Sequence, residues 1–230
     1  MSDLTGLQPA PPAGRDQLGD AARFESLTGE EHLAFPEYEE LPPEPLGLAE
    51  RWLEAATARG VREPRSLALA TADADGRPSN RIVTVGRLDA RGLAFTTHST
   101  SRKGRDLAVN GWASGVLYWR ETSQQLVLSG PVRKVTPAEC DALWQARPVP
   151  LHSMTAASRQ SEPLPEVSAL RERARALGAP GLPLPRPDRF AGYLLEPAEV
   201  EFWLARPDRL HCRLHYVHDG ARWHVGRLQP

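Results

Sequence analysis

The sequence predicts a mainly β, α+β fold: a closed or partly closed antiparallel β-barrel with helices packed around its outside. Three observations carry that expectation. Six or more short runs rich in β-branched and aromatic residues follow one another, each bounded by turn residues. Only a few segments show the helical period, and they stand between or beside those runs. The chain has 230 residues, 40% of them apolar, which suffices for one sizeable core.

Residues 1–44 are polar and Pro-rich, with acidic residues at Glu37, Glu39 and Glu40, and read as a disordered or loosely draped arm. The folded domain is expected over 45–230. Leu46, Ala49, Trp52, Leu53 and Ala56 share one helical face, and Gly60 ends that helix. Residues 66–71 and 80–88 form a hairpin around Asp73-Ala-Asp-Gly76, and 92–98 follows after Asp89-Ala-Arg-Gly92. A short helix is expected over 102–110, then strands at 113–120 and 124–135. Thr136-Pro-Ala-Glu139 has the form of a capping box with Pro at the first helical position. The helix it opens stops before Pro148. Residues 148–163 read as a loop, 166–177 as a second helix, and 181–187 as a Pro-rich linker. Strands at 190–195, 200–204, 209–217 and 223–228 complete the chain.

Composition excludes several classes of function. A formal net charge of −1 leaves no electrostatic footprint for nucleic acid. No apolar run is long enough to span a membrane. The opening residues lack a basic segment followed by an apolar one, so no signal peptide is expected. Cys140 and Cys212 are the two cysteines, which fits a reducing, cytoplasmic location.

The groups that could do chemistry fall in three places. Thr96, Thr97, Ser99, Thr100 and Ser101 precede Arg102 and Lys103 at a helix start. Hydroxyls, helix-terminal N–H groups and two cations suit a phosphate dianion. The same composition also describes a solvated turn. In the run 209–216, alternation puts Arg209, His211, Arg213 and His215 on one strand face. That face suits an anion, or equally a charged edge strand that resists aggregation. It does not suit a metal: His211 and His215 would stand about 13 Å apart, too far to share an ion bound at about 2 Å. Gln125, Gln160, Ser161 and Trp203 offer the amide, hydroxyl and indole edges that a planar heterocycle would need, or are simply polar strand and loop residues. No nucleophile-elbow or zincin motif occurs.

In chain order, Arg81-Ile-Val83, Ser101-Arg102-Lys103, Gln125, Gln160-Ser161, Glu201-Phe-Trp203, Arg209-Leu-His211, Arg213 and Arg227-Leu-Gln-Pro230 resemble the pyridoxamine 5′-phosphate oxidase family. The resemblance spans 45–230. It implies an FMN-binding split β-barrel and a homodimer with flavin at the subunit interface. It marks Arg81, Ile82, Thr97, Ser101, Arg102, Lys103, Gln125, Gln160, Ser161, Trp203 and Arg213 as flavin contacts. Arg209 and His211 it marks as substrate contacts.

The departures concern the substrate. Gly86 stands where the vitamin enzymes have a Lys, and Leu143, Arg147 and Leu151 stand where they have Tyr, Arg and Ser. A phosphate would lose three of four partners there and face two Leu side chains, a heavy desolvation cost. The runs 112–125, 158–162 and 184–187 resemble one branch of the family, the flavin oxidases of phenazine biosynthesis. That branch implies oxidation of reduced phenazine carboxylates toward phenazine-1-carboxylic and phenazine-1,6-dicarboxylic acid, with O2 as acceptor. Arg209, His211, Arg147, Leu143 and Leu151 would then bind substrate, and His211 is the candidate catalytic residue, able to take an N–H proton. Two other readings stand beside it: a pyridoxamine/pyridoxine 5′-phosphate oxidase, and a non-catalytic flavin- or phenazine-binding protein.

Overall fold

The structure, a computed structural model, describes residues 33–230. The described residues form nine strands: β1 Ser66–Ala72, β2 Pro78–Asp89, β3 Gly92–His98, β4 Trp112–Trp119, β5 Gln124–Lys134, β6 Phe190–Leu195, β7 Glu199–Leu204, β8 Cys212–His218 and β9 Trp223–Leu228. All pairings are antiparallel, and the order β4-β1-β2-β3-β6-β5 closes on itself through a further β4–β5 pairing. The result is a six-stranded barrel, with β7, β8 and β9 extending from β5 as a flap of sheet.

Two strands turn corners to make the closure possible. In β5, Gln124 to Ser129 pair with β7 while Val132 to Lys134 pair with β6. In β2, Pro78 to Thr84 pair with β1, and from Val85 on the strand pairs with β3. The register there slips between Val85 and Arg87, leaving Gly86 as the extra residue of a bulge. Alternate residues point inward, so Leu67, Leu69, Phe95, Leu117, Leu126, Leu128, Phe202 and Leu214 fill the interior at no more than 1% exposure.

Helix α1, Leu46–Ala58, lays Leu48, Ala49, Trp52, Leu53 and Ala56 against that core; the face agrees with expectation at Ala49, Trp52, Leu53 and Ala56, with Leu48 buried in place of the expected Leu46, which is only partly buried. Trp52 is its anchor, with ring centroids 5.0 Å from both Phe35 and Phe202. Helix α2, Arg102–Val109, is capped by Ser101. Helix α3, Pro137–Gln145, opens with the expected capping box of Thr136 and Glu139. Helices α4, Pro150–Ala157, and α5, Val167–Gly178, pack beside each other.

Two segments differ from expectation. Residues 150–157 are helical rather than loop: Pro150 sits in the first turn, where its missing N–H costs nothing. His152 then stacks on Trp144 with centroids 4.2 Å apart. The last long strand starts at Cys212 rather than at 209. Arg209 has φ 67° and its N–H donates to the Arg206 carbonyl at 3.0 Å, so a tight turn interrupts the alternating row. Of the arm expected over 1–44, residues 1–32 lie outside the described residues. From Leu33 on the backbone is docked: Leu33 and Phe35 are buried, and the Tyr216 hydroxyl donates to the Pro42 carbonyl at 3.0 Å.

Trp52→Ala should cost about 3–5 kcal/mol, the range for truncating a buried aromatic. Urea denaturation measures it, and the midpoint should fall with little change in the slope.

Candidate functional site

The end of β3 and the start of α2 form a strongly donating corner. The Ser101 hydroxyl accepts from the Gly104 N–H and donates to the His98 carbonyl at 2.7 Å, which fixes the first turn of α2. Lys103 reaches back to Thr97 Oγ1 at 3.0 Å and to Gln160 Oε1 at 3.4 Å. Thr97 in turn donates to Gln160 Oε1 at 2.9 Å. Ser161, at φ 68°, turns its Oγ to accept from the Arg102 N–H at 3.1 Å. Thus Thr97, Ser101, Arg102, Lys103, Gln160 and Ser161 meet, although 57 residues separate Lys103 from Gln160.

Arg81 joins them from β2. Its guanidinium donates to Thr71 Oγ1 at 2.7 Å and to the Leu69 carbonyl at 3.1 Å, and also bonds Ser79 Oγ. Beneath it Asp106 is buried and accepts from Thr71 at 2.7 Å and Ser79 at 2.8 Å, with Arg81 3.8 Å away. Burial would raise the Asp106 pKa, but those two hydroxyls and the charges of Arg102 and Arg81 hold it below the usual value. The cations respond oppositely. Burial, and then the nearby Arg81 charge, lower the Lys103 pKa, and burial lowers that of Arg81. Arg81 and Arg102 thus act on one carboxylate while Lys103 feels the Arg81 charge, a field that an added dianion would relieve.

A second group lies across β5, β7 and β8. Gln125 pairs with Trp203, and Trp203 with Arg213, so the three stand in one cross-strand row. Glu201 holds the Arg213 fork at 2.7 and 3.0 Å, aiming a planar cation along the sheet. The His211 ring lies 4.8 Å from that of Trp203. Its Nδ1 accepts the Arg206 N–H at 3.1 Å. A backbone N–H is always the donor, so the neutral ring carries its proton on Nε2. With Nδ1 so engaged, any proton exchange by His211 would run through Nε2. Arg209 is set in the preceding turn and shares no strand face with Arg213.

The third feature is a cavity of about 450 Å³ between α3 and the outer face of β2 and β3. Gly86, Ala94 and Thr96 form its floor, and Leu143 and Ala146 its wall. Gly86 and Leu143, two departures 57 positions apart in sequence, thus face one space. Arg147 follows the wall directly, whereas Leu151 sits 37% exposed on α4 and is not part of the lining. Ile82 is 63% exposed on the outer face of the barrel. It heads an outward row, Ile82-Ala68-Val116-Val127, that crosses four strands without a charge.

Asp106 and His98 were missed by sequence reading. A lone Asp on a basic helix turn and a His ending a strand carry no local signal. Their roles appear only when β1, β2 and the 158–161 loop converge.

Comparison with known proteins gives a consistent picture. The family model described as pyridoxamine 5′-phosphate oxidase matches residues 53–178. A model described as the pyridoxine 5′-phosphate oxidase C-terminal dimerisation region matches 190–230. The chain is 54% identical to a dihydrophenazinedicarboxylate synthase of Burkholderia lata, over 92% of this chain and 100% of that one. It is 44% identical to a pyridoxine/pyridoxamine 5′-phosphate oxidase of Paraburkholderia phymatum, over 83% and 91%. A crystal structure of PhzG from Burkholderia lata 383, in complex with tetrahydrophenazine-1-carboxylic acid, superposes with a TM-score of 0.86 at 53% identity, covering 88% of this chain and all of that one.

Replacing Asp106 by Asn should destabilise the protein by about 1–3 kcal/mol at neutral pH, the cost of an imperfectly paired buried network. Because the folded pKa is depressed, the contribution is present above the unfolded pKa and is lost as pH falls through the folded value. The gap between wild type and variant in urea denaturation should therefore close below about pH 4.

Proposed function

The chain belongs to the pyridoxamine 5′-phosphate oxidase family, and from that premise we propose that it is an FMN-dependent oxidase acting on reduced phenazine carboxylates, with O2 as electron acceptor. The observation that carries this reading is the α3 cavity. Where a phosphate would need a Lys and a Tyr, Gly86 and Leu143 present hydrogen and hydrocarbon to the same space. A cavity lined mainly by Gly86, Ala94, Phe95, Val135, Ala142, Leu143 and Ala146, with Arg87, Thr96 and Glu139 as its polar groups, favours a flat ring over a dianion. The ligand of the Burkholderia lata structure, a tetrahydrophenazine carboxylate, has that shape.

The donor set fits FMN. Arg81, Arg102 and Lys103 supply the cations a phosphate requires, and the hydroxyl-lined start of α2 adds oriented donors. Gln125, Trp203 and Arg213 offer an amide, an indole and a fixed cation to a planar ring system. Bound there, FMN would supply a hydride acceptor that dioxygen could reoxidise. The protein's own residues bind and orient. Arg209 takes a substrate carboxylate by a charge-assisted bond. His211 donates from Nε2 beside it, and Leu143 with Ala94 excludes water from the ring.

The proposed flavin contacts lie in two separate regions of one chain. Arg81 on β2 and Gln125 on β5 are separated by β1 and β4, three strand spacings or about 14 Å. A homodimer joined through the uncharged face of Ile82, Ala68, Val116 and Val127 would set one chain's phosphate cradle beside its partner's β5–β8 row. The match of the C-terminal segment to a dimerisation region supports that assembly.

Anaerobic mixing with a reduced phenazine dicarboxylate should bleach the flavin absorbance band. No bleaching, or oxidation of pyridoxamine 5′-phosphate at a matching rate, would overturn the reading. Arg209→Ala should weaken substrate binding by about 1.5–3 kcal/mol with FMN retained. His211→Gln, which keeps a donor, should bind better than His211→Ala. The double variant Arg102→Ala/Lys103→Ala should purify largely without flavin, as read from absorbance. Full occupancy in that variant would remove the phosphate assignment.

A further inference from the structure

The loop that carries Arg209 and His211 is held at its base by Arg206. Residues 205–211 join the end of β7 to the start of β8, where Leu204 and Cys212 are paired. The Arg206 carbonyl accepts the Arg209 N–H at 3.0 Å, and the Arg206 N–H donates to His211 Nδ1 at 3.1 Å. The first bond closes the turn on a left-handed Arg209, a conformation that a residue other than Gly keeps only when its surroundings impose it. The second occupies Nδ1, so the neutral His211 ring carries its proton on Nε2. Between them, Asp208 Oδ1 accepts the Leu210 N–H at 2.9 Å. Both residues assigned to substrate thus take their places from the backbone of Arg206.

The Arg206 side chain leaves the loop and reaches another part of the chain. Its guanidinium donates to the Leu33 carbonyl at 3.1 Å, across 173 residues of sequence, and to Cys212 Sγ at 3.2 Å. Leu33 and Cys212 are both buried. The segment that Leu33 opens is fixed without help from Arg206. The Phe35 ring sits in the aromatic cluster of Trp52. Arg227 donates to the Tyr38 carbonyl at 2.8 Å and lies 5.0 Å over the Tyr38 ring. Tyr216 holds Pro42. Residues 33–42 are therefore an anchored rail on the core, and one guanidinium ties the 205–211 loop to it.

We propose that Arg206 is a positioning residue for substrate binding, a latch through which the docked 33–42 segment fixes the places of Arg209 and His211. The proposal rests on the reading of those two residues as substrate contacts and deepens it. A loop ordered in advance loses little freedom when a carboxylate arrives, and that saving appears as affinity. With the latch cut, substrate must order the turn itself, and binding weakens although Arg209 and His211 are still present. The phosphate cradle stands on β3 and α2, bonded to other partners, so FMN content should not change.

The test is a double-mutant cycle between Arg206 and Phe35. FMN-loaded wild type, Arg206→Met, Phe35→Leu and the double variant are mixed anaerobically with a reduced phenazine dicarboxylate over a range of concentrations. The concentration dependence of flavin bleaching gives an apparent Kd and a limiting rate. Arg206→Met should raise Kd about ten-fold, the scale of a charge-assisted hydrogen bond, and lower the limiting rate less. Arg206→Lys, which keeps a cationic donor for the Leu33 carbonyl, should recover most of the affinity. Phe35→Leu changes no charge and lies outside the loop, yet it should raise Kd about three-fold in the presence of Arg206 and leave it unchanged in Arg206→Met. If Arg206 acted only by its charge or its own packing, the two effects would instead multiply. Independent effects, or wild-type affinity in either single variant, overturn the latch while the phenazine reading survives. Loss of FMN from Arg206→Met gives Arg206 a general structural role and overturns it too. Should Arg206→Met fail to fold, Phe35→Leu and Arg206→Lys decide: wild-type affinity in Phe35→Leu, or none of it in Arg206→Lys, overturns the latch. No bleaching of wild type removes the phenazine reading and the latch with it.

Discussion

The pairing of β5 with three different strands is the constraint on which the rest of the structure depends. Gln124 to Pro131 close the barrel against β4, Val132 to Lys134 turn onto β6, and the other edge of Gln124 to Ser129 carries β7. An ordinary strand has two neighbours, so a third is possible only if the strand bends and changes partners partway. The bend does two things. It seals the core without a free edge on the ring. It also launches the β7–β8–β9 flap, so that Gln125, Trp203 and Arg213 inherit a fixed register from the same strand that closes the barrel. Precision in that row follows from backbone hydrogen bonding, and needs no dedicated side-chain scaffold.

Charge is handled differently in the two halves of the site. Arg213 is neutralised by Glu201 in a two-pronged pair, so it offers direction more than net charge. Around Lys103 the opposite holds: Arg81 and Arg102 stand close by, Asp106 is the buried carboxylate beneath them, and hydroxyls and an amide oxygen fill the remaining contacts. Neutral acceptors satisfy hydrogen bonds without cancelling charge. The Lys103 pKa is lowered first by burial and then by the Arg81 charge. A corner whose cations outnumber the Asp106 carboxylate is stabilised by an anion that enters it.

Much of this was legible in the sequence, for reasons that differ by residue. The strands read correctly because alternation is a local property and each is bounded by turn residues; the capping box at Thr136 is a four-residue signal. Two readings failed where local rules give the wrong weight. Pro148 and Pro150 look like breakers, yet Pro150 fits a first helical turn, and the stacking of His152 on Trp144 supplies the tertiary contact that holds α4. The alternation of 209–216 is real in sequence, but a left-handed Arg209 interrupts it, and nothing in an Arg announces a positive φ. His98 and Asp106 were invisible for another reason. Each draws its meaning from partners at least 27 residues away, the Gln160 N–H for one and Thr71 and Ser79 for the other.

The Gly86 bulge shows how a small change at a corner could redirect the chemistry. The barrel needs an extra residue there, because β2 must leave β1 and join β3. Its Cα faces the α3 cavity, with the Ala94 carbonyl 3.5 Å from where a Cβ would stand. Any side chain at that position would project into the space between β3 and Leu143, and a long cation would occupy it. Gly leaves the floor flat and the cavity open, while Leu143 opposite supplies hydrocarbon in place of a polar ring edge. Bulge and helix are both required by the fold whatever the substrate, so only their side chains are free to vary. Two side chains on a fixed backbone thus set the character of the cavity, leaving Arg87, Thr96 and Glu139 as its polar lining.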